Sequence, residues 1–218
     1  MVTTVYPGPA VYERRLFQPR VGVADAESIV SWVQGERLYC DVRSTVAPDG
    51  RRRFRMGFAG PLHHHPATGE VEWEHAIAAG AAFGAADVGR LAPIPGWGLL
   101  ETGRDLDYVE LWERDETADG PVLEYLGRDE RGRAGLFVSV GDRCGLALAD
   151  DAVEGRPASV HLGRRRGHEW IAQHTAWASD PPFGFAITPG PGAGFSVSWR
   201  TGAPTTADIH FHHDWSTP

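Results

Sequence analysis

Two histidines stand among aromatic residues with a spacing that could support acid–base chemistry. His75 follows Trp73 by two positions in an alternating run with Val71 and Ile77, and His174 shares a strand side with Trp170, Ala172 and Ala176. A neutral imidazole on an apolar face can serve as a general acid or base tuned by burial, or as an axial ligand to haem. The simpler reading is a hydrogen-bonded core histidine. Glu110 falls between Tyr108 and Trp112, and Trp170 follows Glu169. Small-molecule pockets are mostly apolar and aromatic with a few placed polar groups, so these pairings suit a bound ligand. In a filled core the same polar neighbours would turn outward to water.

Other chemistries find less support. Asp208, His210, His212 and Asp214 share one side of a strand, where paired imidazoles and a carboxylate could hold a divalent metal. The other side, with Ile209, Phe211 and Trp215, is apolar, so the histidine side reads as solvent-facing and no metal site is expected. His63, His64 and His65 lie between Gly60-Pro61 and Pro66 and read as a loop, where adjacent residues rarely converge on one ion. No Gly-x-Ser-x-Gly is present, and Cys40 and Cys144 sit in apolar strand patterns that raise a thiol pKa rather than lower it. The glycines at 190, 192 and 194 have no helix after them and cannot form a dinucleotide fingerprint.

Composition closes further classes. All 21 basic residues are arginine, and neither lysine nor asparagine occurs in the 218 residues, as in a GC-rich coding sequence. Without lysine there is no Schiff base and no P-loop. The net charge of −8 opposes non-specific nucleic-acid binding, and the clusters Arg51 to Arg53 and Arg164 to Arg166 read as solvated turns. Two cysteines are too few for a disulfide scaffold, and no secretory leader or long apolar run appears, so a soluble cytoplasmic protein that binds neither membrane nor nucleic acid is expected.

These side chains must be positioned by strands. The 27 glycines and 16 prolines are spread along the chain, which leaves little room for long helices. Between them apolar residues alternate: Leu38, Cys40 and Val42; Phe54, Met56 and Phe58; Val71, Trp73, His75 and Ile77. The same pattern recurs over 108–114, 122–126, 136–140, 144–148, 158–162, 169–177, 183–188, 195–200 and 208–215. About a dozen strands at this spacing predict an all-β antiparallel barrel. Residues 24–33 could hold a helical turn, and the Ala/Gly-rich 76–86 a short helical or irregular crossover. A polar seam at 115–121 divides a single structural unit, 1–218, into two possible lobes, 1–116 and 117–218.

Several segments in order, Trp32-Val33-Gln34, Leu38 to Arg43, Gly57-Phe58-Ala59-Gly60, Leu100-Glu101-Thr102-Gly103 and Tyr108 to Arg114, resemble a poorly characterised lipocalin-like (calycin-like) family. Its fungal members are named as casein-kinase interactors. The resemblance covers mainly residues 30–114, with a weaker match around 166–173. It implies a β-barrel, in one or two related lobes, and directs attention to Asp41, Arg43, Glu101, Glu110 and Trp112. Arg43 could form a bidentate pair with Glu101 or Glu110, either pinning the sheet or orienting an anionic group of a ligand.

Two functions from different classes follow. The first is a barrel binding a small, largely apolar ligand, haem among the candidates, through Arg43, Asp41, Trp73, Tyr108, Trp112 and Trp170. The second is a non-covalent isomerase, cyclase or dehydratase using His75, His174, Glu101 and Glu110 as acids and bases. A barrel fold by itself hosts either.

Overall fold

Tight turns between short alternating runs leave each strand within reach of an antiparallel neighbour. The computed structural model describes residues 6–50, 52–80, 86–153, 155–174, 183–190, 194–199 and 209–212. Among these it contains 17 strands and no helix. The first nine are β1 (Ala10–Pro19), β2 (Ile29–Gln34), β3 (Leu38–Val46), β4 (Arg52–His65), β5 (Glu70–Trp73), β6 (Ile77–Gly80), β7 (Asp87–Ile94), β8 (Gly98–Gly103) and β9 (Tyr108–Arg114). They run side by side in the order β3-β2-β1-β9-β8-β7-β5-β4, and β4 pairs back onto β3. The result is a closed eight-stranded barrel, with β6 continuing the line of β5 along β4.

The remaining strands are β10 (Val122–Arg128), β11 (Ala134–Val140), β12 (Arg143–Leu148), β13 (Ser159–Arg166), β14 (Glu169–His174), β15 (Phe183–Pro189), β16 (Phe195–Trp199) and β17 (Ile209–Phe211). They pair in chain order, and a bridge between Arg128 and His212 brings the two ends together, nearly closing a second barrel. Residues 115–121 form the turn between the barrels, held where Arg143 donates to Asp115 at 2.8 Å and to Thr117 Oγ1 at 2.9 Å. The polar seam is thus a connection between two barrels of one fold class.

Two local expectations change. Residues 24–33 contain no helical turn: Asp25 bridges Phe17 and β2 begins at Ile29. Residues 77–80 form strand β6, while 81–85 lie outside the described residues. The β-branched Ile29 and Val30 favour the extended backbone, and the sheet supplies the hydrogen-bond partners a lone helical turn would lack.

The barrels pack flank to flank. Val33, Leu38, Cys40, Val42, Ala59 and Ile77 of the first barrel share one core with Leu136, Val138, Val140, Ala147, Val160 and Leu162 of the second. Strands β2, β3, β11 and β12 are therefore covered on both faces, which explains why nearly every residue along them is buried. The contact is close at Gly145, where an added Cβ would stand 2.4 Å from the Cys40 Cβ.

Candidate functional site

The two barrels differ inside. Among the described residues the second is occupied by a core of Phe137, Leu146, Trp170, Phe185, Phe195 and Phe211. The first encloses a cavity of about 590 Å³. Its apolar part is a cluster of aromatic rings in which Trp32 packs on Tyr12 at 4.8 Å, on Trp112 at 5.3 Å and on Trp73 at 5.8 Å. At the mouth, Val21 and Leu106 line the opening and stand exposed to solvent.

Strand parity carries the polar residues inward. On β3 the apolar set Leu38, Cys40 and Val42 faces the second barrel, so Tyr39, Asp41 and Arg43 must face the cavity. On β9, Tyr108, Glu110 and Trp112 line it together, and Glu101, opposite Glu110 on β8, completes a polar belt. Irregularities do the rest. Between β5 and β6 the chain at Glu74 to Ala76 crosses so close to Gly60 that a Cβ there would lie 2.0 Å from the Glu74 carbonyl oxygen. That break places His75 in the cavity wall, stacked on Phe58 at 4.0 Å, while Ile77 turns to the inter-barrel core. A register shift after Arg14 on β1 likewise directs both Arg14 and Phe17 to the lumen.

The belt is one polar network. Glu101 accepts from Trp112 Nε1 at 2.9 Å and lies 2.6 Å from the Tyr108 hydroxyl, which is 3.4 Å from Asp87 Oδ1. Asp87 Oδ2 in turn lies 3.3 Å from His75 Nε2. Burial, together with the charges of Glu110 and Asp87, pushes the Glu101 carboxyl well above the usual carboxylate range. The Tyr108 hydroxyl donates to Glu101 Oε1, with Asp87 Oδ1 its second and longer neighbour. Burial also raises the Tyr108 phenol, so it donates throughout the physiological range.

Two ion pairs complete the wall. Arg14 Nη1 bonds Glu110 Oε1 at 2.6 Å, with both side chains nearly sealed from solvent. Arg43 contacts Asp41 Oδ2 through Nε and Nη2, each at 3.0 Å. Burial pushes Asp41 and Glu110 upward, opposed by these guanidinium groups. Arg43 thus contacts Asp41, its charge acts with that of Arg14 on Glu110, and Glu101 is held by Tyr108 and Trp112.

The structure brings Asp41, Arg43, Trp73, His75, Glu101, Tyr108, Glu110 and Trp112 around one cavity. It places Trp170 elsewhere, edge-on to Phe137 at 5.4 Å inside the second barrel. His174 is on β14 opposite Leu162 in that barrel, and its side chain lies outside the described residues. Asp208 and Asp214 are also outside them, while His210 is exposed and pairs with Ser196 at 2.7 Å. His63 and His65 lie on β4, not in a loop, and pair with Glu74 at 2.8 Å and Glu72 at 3.2 Å. Among the described residues no group of histidine, cysteine and carboxylate side chains is arranged to hold a metal.

Sequence reasoning did not find Asp87 or Arg14. Asp87 opens a strand behind an Ala/Gly-rich stretch, and its neighbours Tyr108 and His75 are distant in the chain. Arg14 sits in the charged run Glu13-Arg14-Arg15, and only its two-residue step from Tyr12 marks an inward side.

Compared with known protein families, curated proteins and solved structures, the chain matches none.

Proposed function

We propose that the first barrel binds a small, largely apolar molecule in its lumen, with the second barrel acting as a rigid buttress. The observation that carries this reading is the contrast between a hollow barrel and a filled one. A soluble fold normally closes such space, because unfilled volume forfeits packing energy. A cavity of about 590 Å³ lies within the range of small-molecule sites, and its tryptophans supply contact area while the belt orients the guest. The lipocalin-like resemblance, resting mainly on residues 30–114, supports the same reading. Haem suits this interior poorly, because the one lining imidazole among the described residues, His75, turns Nε2 toward Asp87 and stacks its ring on Phe58.

Titration with a naphthalene probe tests the proposal through quenching of tryptophan fluorescence. Saturable one-to-one binding, lost when Ser44 in the cavity wall is replaced by Trp, is the expected result. Failure of apolar probes to bind the wild-type chain overturns it, and a Soret band on haem titration overturns the exclusion of haem.

One observation favours a second reading, non-covalent acid–base catalysis. Burial raises the Glu101 carboxyl inside a cavity, and it is linked through Tyr108 and Asp87 to His75. A perturbed carboxyl in a cleft is the pattern of a general acid. Conversion of a bound molecule, lost in Glu101→Gln with binding retained, would distinguish catalysis from binding alone.

A further inference from the structure

The pairing of charges in the lumen says what chemistry the guest must bring. Arg14 is matched by Glu110 and Arg43 by Asp41. Glu101 is held by Tyr108 and Trp112 rather than by an arginine, and Asp87, paired with His75 at 3.3 Å, shares the Tyr108 hydroxyl with it beside Trp73. A site with two carboxyl groups beside indole rings suits a cation. The carboxylates supply charge, and the ring faces attract an ammonium group once water is excluded. Arg14 and Arg43, the arginines nearest this position, are already engaged by wall carboxylates.

Resting on the reading that the first barrel binds a small molecule, we propose that its ligand is an organic amine with an apolar body, its ammonium group seated between Glu101 and Asp87. The apolar body lies on the tryptophan cluster and extends toward Val21 and Leu106 at the mouth. Burial raises the Glu101 carboxyl, so an ammonium seated beside it favours the ionised form and couples binding to proton release. No covalent bond changes. The other charged and titratable groups lining the cavity are Arg14 from β1, Arg20 and Asp25 after it, Tyr39, Asp41 and Arg43 from β3, Arg55 from β4, His75 after β5, Asp107 before β9, and Tyr108 and Glu110 from β9. Arg14 and Arg43 keep their carboxylate partners throughout.

Three probes of equal bulk test the assignment on the full chain: 2-(2-naphthyl)ethylamine, 2-ethylnaphthalene and 2-naphthylacetate. Calorimetry at pH 7 in buffers of different ionisation heat reads both affinity and protons exchanged. The amine is expected to bind about tenfold tighter than the hydrocarbon or more, with net proton release, and the carboxylate to bind weakest. Glu101→Gln is expected to abolish the proton release and weaken the amine about tenfold, while Glu27→Gln, outside the cavity lining, changes neither. An independent measurement needs no variant: amine affinity for the wild-type protein should rise up to about tenfold per pH unit between pH 6 and 8, with the hydrocarbon flat. Equal binding of amine and hydrocarbon without proton release overturns the amine while leaving the binding barrel standing. Preference for the carboxylate does the same. Failure of all three to bind overturns both.

Discussion

The Tyr108 hydroxyl stands 2.6 Å from Glu101 Oε1, on the far side of which Trp112 donates to Oε2, so a buried carboxyl is fixed at both oxygens. Its stability contribution has a definite sign. The folded-state pKa lies above the ordinary 4.5, chiefly through burial, so the folded chain binds the extra proton. The associated stability is fully present below about pH 4.5 and is lost as pH rises toward the folded value. Glu101→Gln keeps an acceptor for Trp112 and removes the titration. Urea unfolding across pH 5–9 should show a wild-type decline of at most about 1.4 kcal/mol per pH unit that the variant lacks. An unchanged pH dependence in the variant would place the proton elsewhere.

His161 acts in the opposite direction. It is fully buried on β13, opposite Leu146, and burial pushes its imidazole down to about 3 from 6.5. The unfolded chain therefore binds the extra proton between those values, and stability falls as pH drops from 6.5 toward 3. His161→Leu should flatten that acid limb, which thermal melts at pH 4 and 6.5 would show. Equal acid sensitivity in both proteins would point to carboxylates instead.

Glu124 fastens one barrel to the other. Its Oε1, on β10, accepts from the backbone N–H of Arg37 at 2.8 Å and of Leu38 at 2.7 Å, in the turn between β2 and β3. Glu124→Ala strands two amides and should lower stability by about 2–3 kcal/mol, with Glu124→Gln losing less. A loss below about 0.5 kcal/mol in chemical denaturation would mean that water replaces the carboxylate freely.

Gly145 meets Cys40 where the barrels touch, and any side chain there lands on the cysteine. Gly145→Ala should destabilise by about 1–3 kcal/mol, and Cys40→Gly in the same chain should recover part of that loss. Both thiols, Cys40 and Cys144, are buried and pushed upward by burial, so neither should react with iodoacetamide at pH 8 until the chain unfolds. Rapid labelling of the native protein would show an opening between the barrels.

Alternation alone was enough for the fold class and for the inward set on β9, because Tyr108, Glu110 and Trp112 recur with period two whatever the surroundings. Glycine and proline likewise determined an antiparallel protein of many turns. On β3 the periodicity gave two faces without saying which was which. Leu38, Cys40 and Val42 look like the inside of a barrel, yet they face outward onto the second barrel and leave Asp41 and Arg43 in the lumen. That choice was made by the packing of two barrels against each other, which no local window contains. The same holds for the partners. Arg43 meets Asp41 two residues away on its own strand, whereas only closure of the sheet brought Arg14 to Glu110, and Asp87 to Tyr108 and His75. Residue type and spacing thus determined which groups the strands would carry. The tertiary structure decided which barrel stayed hollow, because filling depends on side chains brought together from all eight strands.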